Sequence, residues 1–349
     1  MLCETFLPPF GNPSAADPFE ASDALTAVAA RYSVAVTPEI AALIDPSDPS
    51  DPIARQFLPD ARELITRADE LTDPIGDDVH SPVAGLVHRY DDRVLLKLAS
   101  VCPVYCRFCF RRESVGRGKG RALSSDEIAN ALDYVAARPQ ICEVILTGGD
   151  PLAASAARLS EVSARLAQIP HVTKLRAHTR VPTAAPKLVT TERIAALRAS
   201  GKALHVALHV NHPRELGSEA RAAIARLRES GAALLAQTVL LNGVNDEARL
   251  LEALMRELLA LGVKPYYLHH PDKAPGTSHF RVSLDRGRRI HKELERALRQ
   301  DAPRYVLDIP GGFGKVPVKE PHVARMSARR WRIQDRFGAT HDYVEAPDA

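Results

Sequence analysis

A chain of 349 residues, 45% hydrophobic and 26% charged, can bury one large core or two small ones. A formal net charge of +3 excludes a nucleic-acid partner held by bulk electrostatics, and no apolar run approaches the roughly 20 residues of a membrane span. Five cysteines, an odd number with three clustered, argue against a disulfide framework. With an N-terminus (MLCETFLPPFGNPS) that lacks a signal peptide's basic and apolar regions, they predict a cytoplasmic protein.

Residues 1–88 are rich in Pro, Asp and Ala and read as a mostly helical segment. Helices are expected near 20–31 and 60–71, with a turn-rich loop, DPSDPSDP, at 45–52. From 89 to 310, strands and helices alternate. Strand-like runs occur at 93–100, 142–147, 172–178, 203–210, 233–240, 264–270 and 304–309. Ser124-Ser125-Asp126-Glu127 is a capping box that starts one helix, and another amphipathic pattern spans 283–300. Residues 311–349 read as a Gly-rich loop and a tail. Alternating βα units predict an α/β fold with a parallel sheet and helices outside. Six repeats and one strand suit a partial (β/α)6 barrel, whose chemistry belongs at the C-terminal ends of the strands.

VCPVYCRFCFRR (101–112) follows the first of those strands. Cys102, Cys106 and Cys109 have the spacing C-x3-C-x2-C. A structural zinc site wants four ligands, and a redox pair needs two. Three thiolates on a 4Fe-4S cluster leave one iron open to bind something else, so the missing ligand becomes the functional feature. Cys3 and Cys142 are adequately explained as structural cysteines. Further on, PGGFGKVPV (310–318) sets Gly311, Gly312 and Gly314 around Lys315. The glycines permit torsions and close approaches forbidden to other residues. The spacing is not that of a Walker loop. A lysine held there can form a Schiff base with an aldehyde.

The cysteine loop, with Phe108 before the last cysteine, resembles the radical S-adenosylmethionine (radical SAM) superfamily. LTGGDPL (146–152) is similar to its GGE-type segment. HRYDDRVLL, HTRVP, LHVNHP, LLNGVND, KPYYLHHPDKAPGTSHFR and DIPGGFGKVPV narrow the resemblance to the lysine 2,3-aminomutase family, over roughly residues 85–320. It implies a radical SAM partial barrel with three cofactors: a 4Fe-4S cluster on the three cysteines, S-adenosylmethionine and pyridoxal phosphate (PLP). It further implies that Gly148, Gly149, Asp150, His209 and Gln237 contact S-adenosylmethionine, with Asn211 beside them. Lys315 would carry PLP, and Arg89, Arg93 and Arg180 its phosphate. Arg111 would bind the substrate carboxylate, and Asp272 and Asp308 the ε-ammonium of lysine.

The implied reaction is a radical 1,2-amino shift that turns L-lysine into β-lysine. The partners implied are lysine, a flavodoxin- or ferredoxin-type reductant and a second copy of the chain. Glu247 follows GVND, and no cysteine follows Cys142, so no zinc is expected, as in short members without C-terminal zinc cysteines. Two uses of the product stay open: free metabolism, or modification of elongation factor P. An aminomutase for another amino acid also stays open. The Gly-rich lysine loop argues against a radical enzyme without PLP, and the open iron against a simple electron carrier.

Overall fold

The computed structural model describes residues 23–116 and 118–345. Helix α1 (Asp23–Arg31) and the short α2 (Pro52–Phe57) precede a hairpin of β1 (Leu86–Tyr90) and β2 (Arg93–Ala99). Six helical crossovers then join seven parallel strands. They run α3 (Ser125–Ala136), β3 (Glu143–Gly148), α4 (Ala156–Ala167), β4 (Lys174–Thr179), α5 (Thr191–Arg198) and β5 (Ala203–His209). The series continues with α6 (Ser218–Glu229), β6 (Ala233–Val239), α7 (Ala248–Ala260), β7 (Lys264–His269), α8 (Leu284–Leu298) and β8 (Arg304–Ile309). Antiparallel β9 (Gly314–Pro317) ends a nine-stranded sheet whose order follows the sequence.

That order never reverses. Right-handed crossovers therefore stack α3–α8 on one face, and the sheet curls around the other. Alternation within the strands decides what each face carries. In β2, Val94, Leu96 and Leu98 enter the core beneath the helices, while Arg93, Leu95 and Lys97 face the lumen. In β5, Val206 and Leu208 face the core and His205, Ala207 and His209 the lumen. The lumen is thus polar, and the partial (β/α)6 barrel expected from the sequence is present. Its two edges meet where the Lys315 N–H donates to the Tyr90 hydroxyl, 3.1 Å away.

The seven predicted strands agree with β2–β8 to within two residues at each end. Ser124 caps α3 and exchanges hydrogen bonds with Glu127, as the capping box requires. Three features differ from the sequence reading. The helix expected at 60–71 is one 3-10 turn, Ala61–Leu64, followed by irregular chain. Its charged side chains leave the helical pattern to pair with the barrel: Glu63 with Arg107 and Arg112, Asp69 with Lys273, and Glu70 with Arg281. Those tertiary pairings override a modest local propensity. Strand β1 is new and lies across the boundary expected at residue 88. Its two-residue turn, Asp91-Asp92, lacks the glycine that usually announces a hairpin.

The C-terminal region is more ordered than a loop and tail. Lys315 lies on β9, which pairs with β8 across the boundary expected at 310. Strands β10 (Val323–Arg325), β11 (Arg330–Gln334) and β12 (Thr340–Val344) form a second antiparallel sheet anchored in the core by Trp331 and Ile333. Residues 20–22 of the first expected helix lie outside the described residues, as does Cys3. Among the described residues, no helix is long and apolar enough to cross a membrane.

Candidate active site

The cysteine loop leaves β2 and is held by backbone on both sides. The Gly149 N–H donates to the Ala99 carbonyl at 2.6 Å, and the Asp150 N–H to the Val101 carbonyl at 3.0 Å. Only glycine fits this junction. Gly148 has φ +103°, and a Cβ at Gly149 would lie 2.3 Å from the Val101 oxygen. The Asp150 carboxylate accepts from the Thr179 hydroxyl and the backbone N–H groups of Leu152, Arg180 and Val181. It is a clasp between the ends of β3 and β4, with both oxygens occupied. Burial raises its pKa despite these donors.

From the outside, the N-terminal segment braces the same loop. Glu63, fully buried, accepts from Arg107 and Arg112, the arginines that flank Cys109. Arg107 N–H donates to the Gln56 carbonyl at 2.9 Å, and Arg112 also reaches the carbonyls of Pro275 and Gly276. Cys102, Cys106, Cys109, Tyr32 and Arg112 share the lining of one small cavity. Burial pushes the Cys102 thiol well above its ordinary pKa and Cys109 up to about 11. Burial thus favours the neutral thiol at both positions, and an electropositive ligand would favour the thiolate. Among the described residues, no three His, Cys, Asp or Glu side chains converge closely enough to share a single ion. Three thiols spaced around one loop suit the corners of a polynuclear cluster better than one metal.

Beside this loop the structure gathers several of the residues expected to meet S-adenosylmethionine. Phe108 lies edge-on to His209, with ring centroids 5.5 Å apart. His209 pairs in register with Gln237, whose amide lies 3.3 Å from His178. Burial holds His209 and His178 well below the usual imidazole range, so both are neutral. His209 Nε2 and Arg180 Nε are buried without a hydrogen-bond partner, which marks polar capacity open to a ligand. Asn211 instead joins the framework, bonding to Gln56, Glu215 and the Val239 N–H.

A second pole forms around Lys315. Its ammonium sits 2.7 Å from Asp308, its register partner on β8. Burial lowers the Lys315 pKa, but Asp308 outweighs it and holds the ammonium above its ordinary value. Arg89 lies between two carboxylates, 3.5 Å from Asp77 and 3.5 Å from Asp308. Arg111 bonds to Asp77 at 2.8 Å and to the Thr147 hydroxyl at 2.9 Å. Asp272 completes the group. Burial and the neighbouring Asp308 raise its pKa to about 8. The Gly-rich turn approaches the N-terminal segment so closely that a Cβ at Gly76 would lie 2.5 Å from the Gly312 Cα.

Arg93 begins β2 at the floor of the lumen, bonded to Asp92 and stacked on Tyr90 at 5.5 Å. Tyr90 is the residue that accepts from the Lys315 N–H, so Arg93 is one aromatic ring away from it. Arg180 differs. Its guanidinium lies on the cysteine loop, 3.0 Å from Cys106 Sγ, and is bound by Gln56 and Glu215. That is the cysteine pole rather than the Lys315 pole. Sequence reasoning missed Gln56, Glu63, Asp77, Thr147 and Glu215. Thr147 lies in LTGGDPL beside the glycines that drew attention, the other four stand in no motif, and each matters through a partner brought near by the fold.

The donor sets fit the three groups that the sequence suggests. Three thiols fit a cluster, and unpartnered His209 and Arg180 atoms flank the space beside it. An amine among glycines, with the buried Arg89 Nε left unpartnered nearby, fits a phosphorylated aldehyde.

Residues 96–254 match the Radical SAM superfamily. The chain is 37% identical over 313 residues to L-lysine 2,3-aminomutase of Clostridium subterminale, covering 89% of this chain and 75% of that one. It is 38% identical over 279 residues to the Escherichia coli K12 L-lysine 2,3-aminomutase, covering 79% and 80%. Glutamate 2,3-aminomutase of Clostridioides difficile is 34% identical over 295 residues, covering 83% and 68%. With this much of each chain aligned, and the cysteine loop and Lys315 set at the strand ends of one barrel, the chain belongs to the lysine 2,3-aminomutase family of radical SAM isomerases.

Proposed function

We propose that the protein converts L-lysine to β-lysine by a PLP-dependent radical 1,2-amino shift. The observation that carries this reading is the pair of carboxylates beside Lys315, the buried Asp308 and the half-buried Asp272. When bound, the cluster and S-adenosylmethionine supply a hydrogen-abstracting radical, and PLP supplies an imine nitrogen and a ring that spreads unpaired spin.

The chain's own residues do the rest. Cys102, Cys106 and Cys109 hold the cluster at the mouth of the lumen. The Gly148–Gly149 backbone, His209 and Gln237 border the space for S-adenosylmethionine. Lys315 is the amine for the PLP aldehyde, with Arg89 and Arg93 as its phosphate donors. Arg111, kept in place by Asp77 and Thr147, presents its guanidinium to the substrate carboxylate.

Asp308 has a cation at 2.7 Å in the cofactor-free protein, the Lys315 ammonium. Once Lys315 is committed to the aldehyde, Asp308 needs another cation, and a cation there would also let the neighbouring Asp272 ionise. The ε-ammonium of lysine is such a cation. A γ-carboxylate would bring a second negative charge beside the Asp308 carboxylate, which disfavours glutamate.

The test is to reconstitute the enzyme anaerobically with iron, sulfide and PLP. It is then supplied with S-adenosylmethionine, a flavodoxin- or ferredoxin-type reductant, and equal lysine and glutamate. β-Lysine is the expected product. β-Glutamate as the main product overturns the substrate assignment.

A further inference from the structure

We propose that Arg180 is a positioning residue for the iron–sulfur cluster: it donates an N–H to the sulfur of Cys106 and thereby raises the cluster's reduction potential. This rests on the reading of the three cysteines as cluster ligands. It gives Arg180 a role other than holding the phosphate of PLP.

The geometry is specific. One terminal nitrogen of Arg180 is 3.0 Å from Cys106 Sγ. The other is 2.7 Å from Gln56 Oε1 and 2.8 Å from Glu215 Oε2. Both acceptors come from residues that are 0–1% exposed, so the fork has no freedom to swing away. The Phe57 ring lies 4.4 Å from the guanidinium carbon and Phe108 at 5.6 Å. The backbone is fixed too, because Arg180 N–H donates to Asp150 at 2.7 Å. Glu215 is itself pinned by the N–H groups of Asn211 and His212. Arg180 follows β4, whereas Lys315 pairs with β8, four strands further round the sheet.

The chemistry follows from charge. Reduction adds one electron to the cluster and its thiolates. A hydrogen bond and a fixed positive charge at one thiolate stabilise that added electron, so the potential rises. The Glu215 carboxylate, 2.8 Å from the same guanidinium, works in the opposite direction. Low surrounding dielectric magnifies both effects. A purely structural role for the Arg180–Glu215 pair predicts damage from losing either partner. An electrostatic role predicts shifts of opposite sign.

The experiment is a redox titration of the reconstituted full-length protein with dithionite, followed by the electron paramagnetic resonance of the reduced cluster. Iron content is measured in every sample. Arg180→Gln is expected to lower the midpoint potential, and Glu215→Gln, which leaves Arg180 in place with its charge uncompensated, to raise it. Arg180→Lys keeps the charge but not the fork, and is expected to fall between parent and Arg180→Gln. A midpoint that is unchanged or raised in Arg180→Gln with full iron content overturns the proposal. If Arg180→Gln fails to assemble a cluster, an unchanged or lowered midpoint in Glu215→Gln overturns it alone. A parent protein that binds no four-iron cluster overturns the cysteine reading, and this proposal with it. A normal parent cluster that ignores both substitutions overturns only this proposal.

Discussion

The cysteine loop and the surroundings of Lys315 sit at the same end of one barrel, yet they treat their charges differently. Around the cysteines the buried carboxylates are saturated. Both oxygens of Glu63, Asp150 and Glu215 accept hydrogen bonds from buried donors. Around Lys315, one oxygen each of Asp77 and Asp308 and the Nε of Arg89 are buried without a hydrogen bond, and Asp272 keeps its proton up to a pH of about 8. The acids of the first region are paired before any ligand arrives, and only donor and ring nitrogens such as Arg180 Nε and His209 Nε2 stay open. The second is assembled with a deficit that a cofactor and a charged substrate remove.

If the cysteine pole is a finished framework, breaking it should cost folding stability. Glu63→Ala leaves two buried arginines without their shared partner. Removing one member of a buried ion pair costs about 3–5 kcal/mol. The expected result is a large drop in the urea midpoint and a loss of bound iron after reconstitution. Unchanged stability would mean that the brace is dispensable.

The Lys315 pole should respond in function more than in folding. Asp308→Asn and Asp272→Asn should each weaken lysine use in the loaded enzyme by tenfold or beyond. A hydrogen bond to a charged group contributes about 1.5–3 kcal/mol, and about 1.4 kcal/mol is tenfold. Iron content should stay at the parental level in both variants, which separates the two poles. Parental lysine kinetics in both would remove the distal-carboxylate assignment.

The smallest expected effect is one of pH. The Asp272 pKa is raised from 3.8 to about 8, chiefly by burial. Between those values the folded cofactor-free protein holds a proton that the unfolded chain has released. Its contribution to stability therefore falls as pH rises through that window. Asp272→Asn removes this slope. The variant should be more stable than the parent at pH 8 and differ little at pH 4. Thermal melts at the two pH values check the sign. A variant less stable at pH 8 would mean that Asp272 is already paired.

Much of this was legible in the sequence because it is periodic or chemically unusual. The seven strand-like runs from 93–100 to 304–309 mark β2–β8, and the capping box at Ser124 marks the start of α3. Three cysteines in eight positions, and a lysine behind three glycines, are rare enough to stand out. What stayed hidden was pairing. Glu63 looks like one more charge on an expected helix until the fold carries Arg107 and Arg112 to it. Asp77 is an ordinary acid in a turn until it meets Arg89 and Arg111. Arg180 was visible as important, but its address depends on how far round the barrel β4 lies from β9, which no local pattern encodes.

The most direct test of the account is to reduce the PLP-loaded protein with borohydride and map the pyridoxyl group, with and without lysine present. The account predicts a tag on the peptide containing Lys315 when lysine is absent. With lysine present, the tag should move to the amino acid and leave Lys315 unmodified. A tag confined to another lysine of the chain, or one that lysine does not displace, would contradict it.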